Sequence, residues 1–322
     1  MQDVISPRPI LNPNERTAWQ RFTRNLWQHK YLLLMLLPAL AYVIIFSYLP
    51  MAGIVIAFKK FNYNQGILGS PWVGFKNFRF LMMSNKLAFL TRNTLLYNLA
   101  FITVEMAVEV VFAILINEIT SKRFKRVFQS FMFLPYFISW VVVAAIVQAV
   151  LGYEYGMING LIETLGGERI NIYANKDIWP VLLVLFRVWK MAGYGSVVYL
   201  ATITGIDPEM YEAASIDGAN VWQRVRYITM PGLKPTMLIM FLLALGQVFR
   251  GDFGLFYQLI GNNAAILPKT DILDLFIYRA LASTSDFGMS SAAGLYQSVL
   301  CFATVMIVNG VIRKVQPDYS LF

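Results

Sequence analysis

Six charged side chains well inside the long apolar runs of this chain are its first chemical signal. Glu105 and Glu109 fall in one run, Arg187 and Lys190 in a second, Arg250 and Asp252 in a third. A charge at the centre of a bilayer costs about 2.5–3.5 kcal/mol on insertion scales, so each needs an opposite charge or a wet cavity. Arg187 and Lys190 stand at helical spacing and share a face, with Trp189 and Tyr194 close by. Gly251 and Gly254 flank Asp252 and predict a locally opened helix, which is tolerated where backbone lines a cavity. Gln148, Gln247 and Tyr257 add polar groups and a ring. Together these make a cation-bearing, aromatic lining suited to a polyhydroxylated solute, an acidic one included. The competing reading is that Glu105 and Glu109 neutralise two of the cations as structural pairs. On that reading Trp189 and Tyr194 are packing or interface anchors.

The elements that must position these groups are membrane helices. Hydrophobic residues make up 57% of the 322 residues and charged residues only 14%, well below the roughly 25% charged of soluble domains. A bilayer core needs about 20 apolar residues per helix. Six segments qualify: 31–58, 93–119, 127–151, 178–204, 236–260 and 291–312. The fold expected is all-α and polytopic, with six transmembrane helices. The first run is too long for a signal peptide, follows a polar tail and carries no small-residue cleavage site. Cys301, the sole cysteine, excludes an intramolecular disulfide and a cysteine metal cluster.

Lys and Arg indicate orientation. The tail contains Arg8, Arg16, Arg21, Arg24 and Lys30, and the loop 122–126 is densely basic. Both predict a cytoplasmic location by the positive-inside rule, hence both termini inside. The basic loop 59–92 is an exception, because this topology puts it outside. The net charge of +9 suits anionic lipid headgroups. It does not suit nucleic acid, since no basic run with interleaved aromatics lies in a soluble domain. Within the tail, Trp19, Phe22 and Leu26 recur at helical spacing among the basic residues. They predict an amphipathic helix on the inner membrane face; a disordered basic tail is the alternative. His29, the only histidine, has no chemical partner nearby.

Between the fourth and fifth runs lies a sharply punctuated polar segment. Asp207 reads as an N-cap and Pro208 as the first helical residue, with Glu209 and Glu212 in the opening turns where the helix dipole favours anions. Gly218 can take a left-handed conformation and end that helix. A second helix is expected from Asn220 to Tyr227, carrying Trp222, Arg224 and Arg226, until Pro231 stops it. Two short helices about a glycine corner make a rigid knob for another protein; an ordinary connecting loop is the plainer reading.

Glu212, Ala213, Ala214, Gly218, Ile228, Met230 and Pro231, at these spacings, resemble the EAA loop of bacterial binding-protein-dependent ABC transporter permeases. Ser215, Ile216, Asp217, Gly218 and Ala219 match the variant common among sugar permeases, and Met230 replaces the usual Leu, a volume-conserving change. Trp72 to Phe78 with Asn93, Thr94 and Leu95 is similar to the first external loop and second-span entry of oligosaccharide permeases. Gly156, Met157, Ile158 and Asn159 through Leu165 and Gly166 resemble the external loop after the third span. Thr270, Asp271, Asp274, Tyr278 and Arg279 resemble the loop before the last span in permeases for polysaccharide-derived sugars, as does the terminal segment 317–322. The likeness covers nearly everything after residue 30.

The resemblance implies a type I ABC importer permease in the bacterial cytoplasmic (inner) membrane, taking up oligosaccharides or polysaccharide, alginate-like acidic chains included. It implies three domain segments: a cytoplasmic tail 1–30, a permease domain 31–316 containing the coupling loop 205–233, and a C-terminal tail 317–322. It assigns Glu212, Ala213, Ala214, Asp217, Gly218 and Ala219 to ATPase coupling. The residues proposed for the substrate pathway are Gln148, Arg187, Trp189, Lys190, Tyr194, Gln247, Arg250 and Tyr257. Implied partners are a second, homologous permease, two cytoplasmic ATPases that bind the ATP and Mg, an extracytoplasmic solute-binding protein and membrane lipid.

No Gly-x-x-x-x-Gly-Lys-Ser/Thr occurs, so this chain is not expected to hydrolyse ATP through a P-loop; with no His/Cys/carboxylate cluster and no nucleophile-plus-histidine arrangement either, no cofactor, metal or catalytic residue is expected in it. Two rivals remain at this point. A proton-coupled secondary transporter could use Glu105 and Glu109 as a relay but has no use for the Glu212 knob. A membrane-embedded enzyme would need an acidic or histidine pair in an interfacial loop.

Overall fold

The computed structural model describes residues 27–83 and 85–315. The amphipathic helix expected in the tail, except for its last residues, and the segment 317–322 lie outside them. The chain falls into two units, residues 1–55 and 56–322. In the first, α1 (Lys30–Val43) continues as a π turn (Ile44–Tyr48) and then a 3-10 helix (Leu49–Phe58).

In the second unit, α2 (Lys86–Glu118) starts behind Asn85, whose φ of 51° lies in the left-handed region that Asn tolerates. Extended backbone at Ile119 ends it. Ser121 then caps α3 (Lys122–Phe137) by accepting from the Phe124 amide at 3.4 Å. Sequence predicts one span over 127–151, but the structure breaks it. Pro135 weakens the last turn of α3, Ile138 is extended, and Ser139 caps a new helix, α4 (Trp140–Leu151). The two helices meet at 95°.

Next, α5 (Trp179–Thr204) opens with Pro180 in its first turn, and the buried Trp179 donates Nε1–H to the Ile172 carbonyl at 3.0 Å. This helix packs along α2 and α3. A β-carbon on Gly193 would fall on the Met132 carbonyl oxygen, so only glycine allows this approach to α3.

After α6 (Pro208–Ile216) come α7 (Val221–Arg224), a π turn (Val225–Thr229) and α8 (Met230–Leu245), which form one continuous helical span. This corrects the expectation that Pro231 stops the helix. Pro231 sits in the first turn of α8, two residues beyond the π turn. Pro50 holds the same position behind the π turn at Ile44–Tyr48. A proline removes one N–H and crowds the carbonyl four residues back, and the wider turn accommodates both.

The expected span 236–260 is likewise divided. Helix α8 ends at Leu245, tight turns follow to Arg250, and Asp252 caps α9 (Phe253–Leu259) by accepting from the Leu255 amide at 3.0 Å. The opening predicted around Gly251 is present. Finally come α10 (Leu273–Ala282) and the long α11 (Phe287–Val315). Among the described residues, five helices are long and apolar enough to cross a membrane, or six spans if the bent α3–α4 pair counts as one.

Three buried clusters hold the second unit together. One gathers Phe101, Trp179, Leu183 and Phe256; another Ala57, Leu81, Leu90, Ala292 and Ala293; a third Val110, Tyr199, Ile203 and Leu233. Polar fasteners tie the loops to them. Asn93 Nδ2 donates to the Asp271 carbonyl (3.2 Å), Thr94 Oγ1 accepts from the Leu273 amide (3.0 Å), and Tyr97 donates to the Lys269 carbonyl (2.9 Å). Buried Asn159 joins Gly152 to Ile170 through both ends of its amide. Arg279 pairs with Asp271. The loop motifs that carried the family resemblance are therefore largely structural fasteners.

Candidate functional site

Two features deserve the chemistry: a charged cavity inside the bundle and the knob between α5 and α8. The cavity measures about 390 Å³ and opens between α2, α5, α8 and the broken segment after α8. Asn98, Phe101, Ile102, Glu105 and Glu109 enter it from α2, Arg187 and Tyr199 from α5. Met240 and Phe241 come from α8, and Gln247, Arg250 and Asp252 from the opened stretch.

Arg187 occupies its centre. Its Nη1 donates to Asp252 Oδ2 at 2.6 Å and its Nε to Glu105 Oε2 at 3.3 Å, while the guanidinium lies 5.2 Å from the Phe101 ring. Glu105 therefore neutralises one cation, with Asp252 sharing that task, while Glu109, paired with a second cation in the competing reading, makes no ion pair among the described residues. The Glu109 carboxylate lies against Gly195, where any β-carbon would strike it. Arg250 also lines the cavity but makes no ion pair among the described residues.

Lys190 is not in the cavity. Only 5% exposed, its ammonium donates to the carbonyls of Tyr136 (2.7 Å), Pro135 (3.2 Å) and Ile138 (2.5 Å). These oxygens lie at the break that ends α3, where the Pro135 oxygen also accepts from the Ile138 amide at 3.2 Å and the helix dipole favours a cation. Its placement among the pathway residues is thus corrected: it fastens the α3–α4 bend, assisted by the Tyr136 and Trp140 rings at 5.7 and 5.4 Å.

Of the other sequence candidates, Gln247 joins Arg187 and Arg250 at the cavity. Tyr194 stacks on Tyr136 at 4.0 Å and stays half exposed, as does Trp189. Gln148 is exposed on α4, and Tyr257 stacks on Phe253 and touches Tyr278 at 3.4 Å. None of these four lines the cavity. Sequence reading missed Asn98, Phe101 and Tyr199. The first two were within reach, since they precede Glu105 by helical intervals on one face of α2.

The knob is built as its residues suggest. Asp207 caps α6 by accepting from the Glu209 amide at 3.0 Å. Gly218 turns the chain with φ of 80°, and the Ala219 amide closes on the Ala214 carbonyl at 2.9 Å. Asn220 and Gln223 then make a reciprocal capping box (3.0 and 2.8 Å). The knob's tilt is set by Tyr211 and Thr229, whose hydroxyls meet at 2.9 Å, and by Arg224, which reaches Ser215 Oγ at 2.9 Å and Glu118 of α2 at 4.0 Å. Glu212, Ala213 and Asp217 are exposed, Ala214 and Ala219 half-buried. The Glu212 carboxylate has no partner among the described residues. Ile216 and Trp222 beside it are 87% and 81% exposed. Large apolar groups around an unpaired charge on a rigid corner are suited to docking another protein.

The fold and these two features fit a multi-pass membrane component of a transport system. Residues 109–317 match the family described as the binding-protein-dependent transport system inner membrane component, and the chain belongs to that family. It is 35% identical over 295 residues to the polygalacturonan/rhamnogalacturonan transport system permease protein YteP of Bacillus subtilis, covering 92% of this chain and 91% of that one. Against the trehalose/maltose transport system permease protein MalF of Thermococcus litoralis the identity is 26%, with 87% and 94% covered. The fold matches a crystal structure of a bacterial ABC transporter involved in the import of the acidic polysaccharide alginate. There the TM-score is 0.82 and the identity 29%, with 92% of this chain and 99% of that chain covered. A second structure of the alginate transporter, in complex with an alginate pentasaccharide-bound periplasmic protein, matches with a TM-score of 0.81. Membership of this family leaves no place for the secondary-transporter and membrane-enzyme alternatives.

Proposed function

We propose that this chain is the translocating permease of an ATP-driven importer of oligosaccharides cut from polysaccharide, acidic chains among them. Both termini and the Glu212 knob face the cytoplasm on this reading. Two ATPase subunits carry the ATP and Mg, a homologous permease completes the pathway, and an external binding protein delivers the solute. Closure of the ATPases moves the knob, and Arg224 passes that motion to Glu118 and α2, whose Glu105 and Glu109 line the cavity. The chain itself holds no cofactor.

One observation carries the preference for acidic substrate. With Arg187 held by two carboxylates and Lys190 by three carbonyls, Arg250 is the cavity cation left to meet a solute carboxylate. The names of the relatives support a saccharide substrate. A neutral oligosaccharide is the second reading, favoured by the carboxylates of Glu105, Glu109 and Asp252 in the same cavity.

Arg250→Gln in the reconstituted complex tests the first reading. It should reduce uptake of oligouronides well below that of neutral oligosaccharides, and the salt sensitivity of oligouronide uptake should fall with it, since attraction across water is screened within about 8 Å at physiological salt. Uptake of both classes unchanged would end the acidic reading; uptake of neither class by the wild type would end the saccharide reading.

A further inference from the structure

The basic loop 59–92 violates the positive-inside expectation, and the structure places three of its lysines on a second cavity. This cavity, about 450 Å³, is lined by Lys60, Phe61, Lys76, Asp286 and Phe287 among others. That volume is within the usual range of about 300–1,000 Å³ for ligand sites. Its walls are fixed. Asn77 Nδ2 donates to the carbonyls of Ala57 and Lys59 at 2.8 and 3.1 Å, and the Phe61 and Phe287 rings lie 5.0 Å apart. The third lysine, Lys59, is already committed, with its ammonium on the carbonyls of Ile67 and Leu68 at 2.8 and 2.9 Å. Lys60 and Lys76 have no side-chain partner among the described residues. Asp286 faces them, but its Oδ1 accepts from the Met289 amide at 2.9 Å.

The site lies near one end of the apolar helix α2. Near its start, α2 packs through Leu87 and Leu90 against Ala57 and Leu81, with Phe58, Phe78 and Met289 around them, beside this cavity. At its other end Glu118 meets the knob. The 33 residues of α2 separate the two by roughly 50 Å. Around the cavity the chain exposes Tyr63, Leu68, Trp72 and Phe75, between 63% and 93% accessible. Aromatic and apolar groups exposed beside free amines mark a segment seated in the headgroup layer, where rings meet acyl chains and amines meet phosphate.

We propose that this cavity is a binding site for the phosphate headgroup of an anionic phospholipid, gripped by Lys60 and Lys76 and flanked by the Phe61 and Phe287 rings. The site accounts for the excess positive charge on a loop that the topology puts outside, and it anchors the α2 end of the bundle to lipid.

Native mass spectrometry of the whole transport complex in mild detergent, titrated with phosphatidylglycerol or phosphatidylcholine, tests this. The wild type should retain phosphatidylglycerol in preference, less so at high salt. Lys60→Gln with Lys76→Gln should weaken that binding roughly tenfold or more. Both lysines are exposed, so the variant should elute as the intact complex, and Lys60→Arg with Lys76→Arg should keep the lipid. Equal retention by the glutamine variant, no preference over phosphatidylcholine, or displacement of the lipid by an oligouronide would each overturn the proposal.

Discussion

Asp252 and Arg187 meet through one carboxylate that has two tasks. Its Oδ2 accepts from Arg187 Nη1 at 2.6 Å, while its Oδ1 accepts from the Leu255 amide at 3.0 Å and starts α9. The residue that neutralises the cavity's central cation thus also sets the direction in which the chain leaves the break after α8.

The two tasks can be separated. Asp252→Asn keeps an oxygen for the cap and loses the charge. Asp252→Ala loses both, and the missing cap costs about 1 kcal/mol more. Breaking a fully buried pair costs about 3–5 kcal/mol; with Arg187 24% and Asp252 12% exposed, the loss here should fall below that range. Thermal unfolding of the purified complex should rank wild type above Asn and Asn above Ala. An Asn variant as unstable as Ala would show that the ion pair contributes everything.

Lys190→Met should destabilise the α3–α4 bend without changing which solutes are transported. Removing the ammonium takes the side-chain donor from the part-buried carbonyls of Tyr136 and Ile138, a penalty of about 1–3 kcal/mol. Unfolding temperature and the ratio of acidic to neutral uptake are the two measurements. A shifted ratio at normal stability would return Lys190 to the solute path.

At the knob, Gly218→Val places a β-branched residue at φ of 80°, where open space offers no clash but the backbone itself resists by roughly 1–2 kcal/mol. Glu212→Lys reverses the unpaired charge, and loss of a desolvated interfacial pair costs about 2–5 kcal/mol. Both variants should reach the membrane. ATPase co-purification should weaken most for Glu212→Lys, and ATP hydrolysis should uncouple from uptake most for Gly218→Val. Normal transport by Glu212→Lys would remove the knob from the coupling path.

Orientation is checked most simply by labelling. In a Cys301→Ser background, Asn64→Cys should react with an impermeant thiol reagent from outside, and a reporter fused after residue 322 should be active as a cytoplasmic fusion. The reverse pattern would place Glu212 outside.

The sequence by itself determined the membrane class, the approximate position of four of the six expected spans and the capped first helix and glycine corner of the knob. These are properties of residue type at short range: about 20 apolar residues must cross a bilayer, Asp207 must cap, and Gly218 must take positive φ. The break near Asp252 was legible for the same reason. Where Pro231 stood, short-range reasoning failed, because a π turn absorbed what would otherwise have ended the helix. Only the tertiary structure decided which charges are free. Arg187 and Lys190 are neighbours on one helix and look equivalent in sequence. Yet Arg187 meets Glu105 and Asp252 from distant segments, while Lys190 meets the carbonyls of a break in a third helix. Whether a buried cation can take a solute depends on what other helices bring within about 3 Å of it. That distance is set by packing, such as the bare Gly193 that lets α3 approach α5, and no local pattern in the chain encodes it.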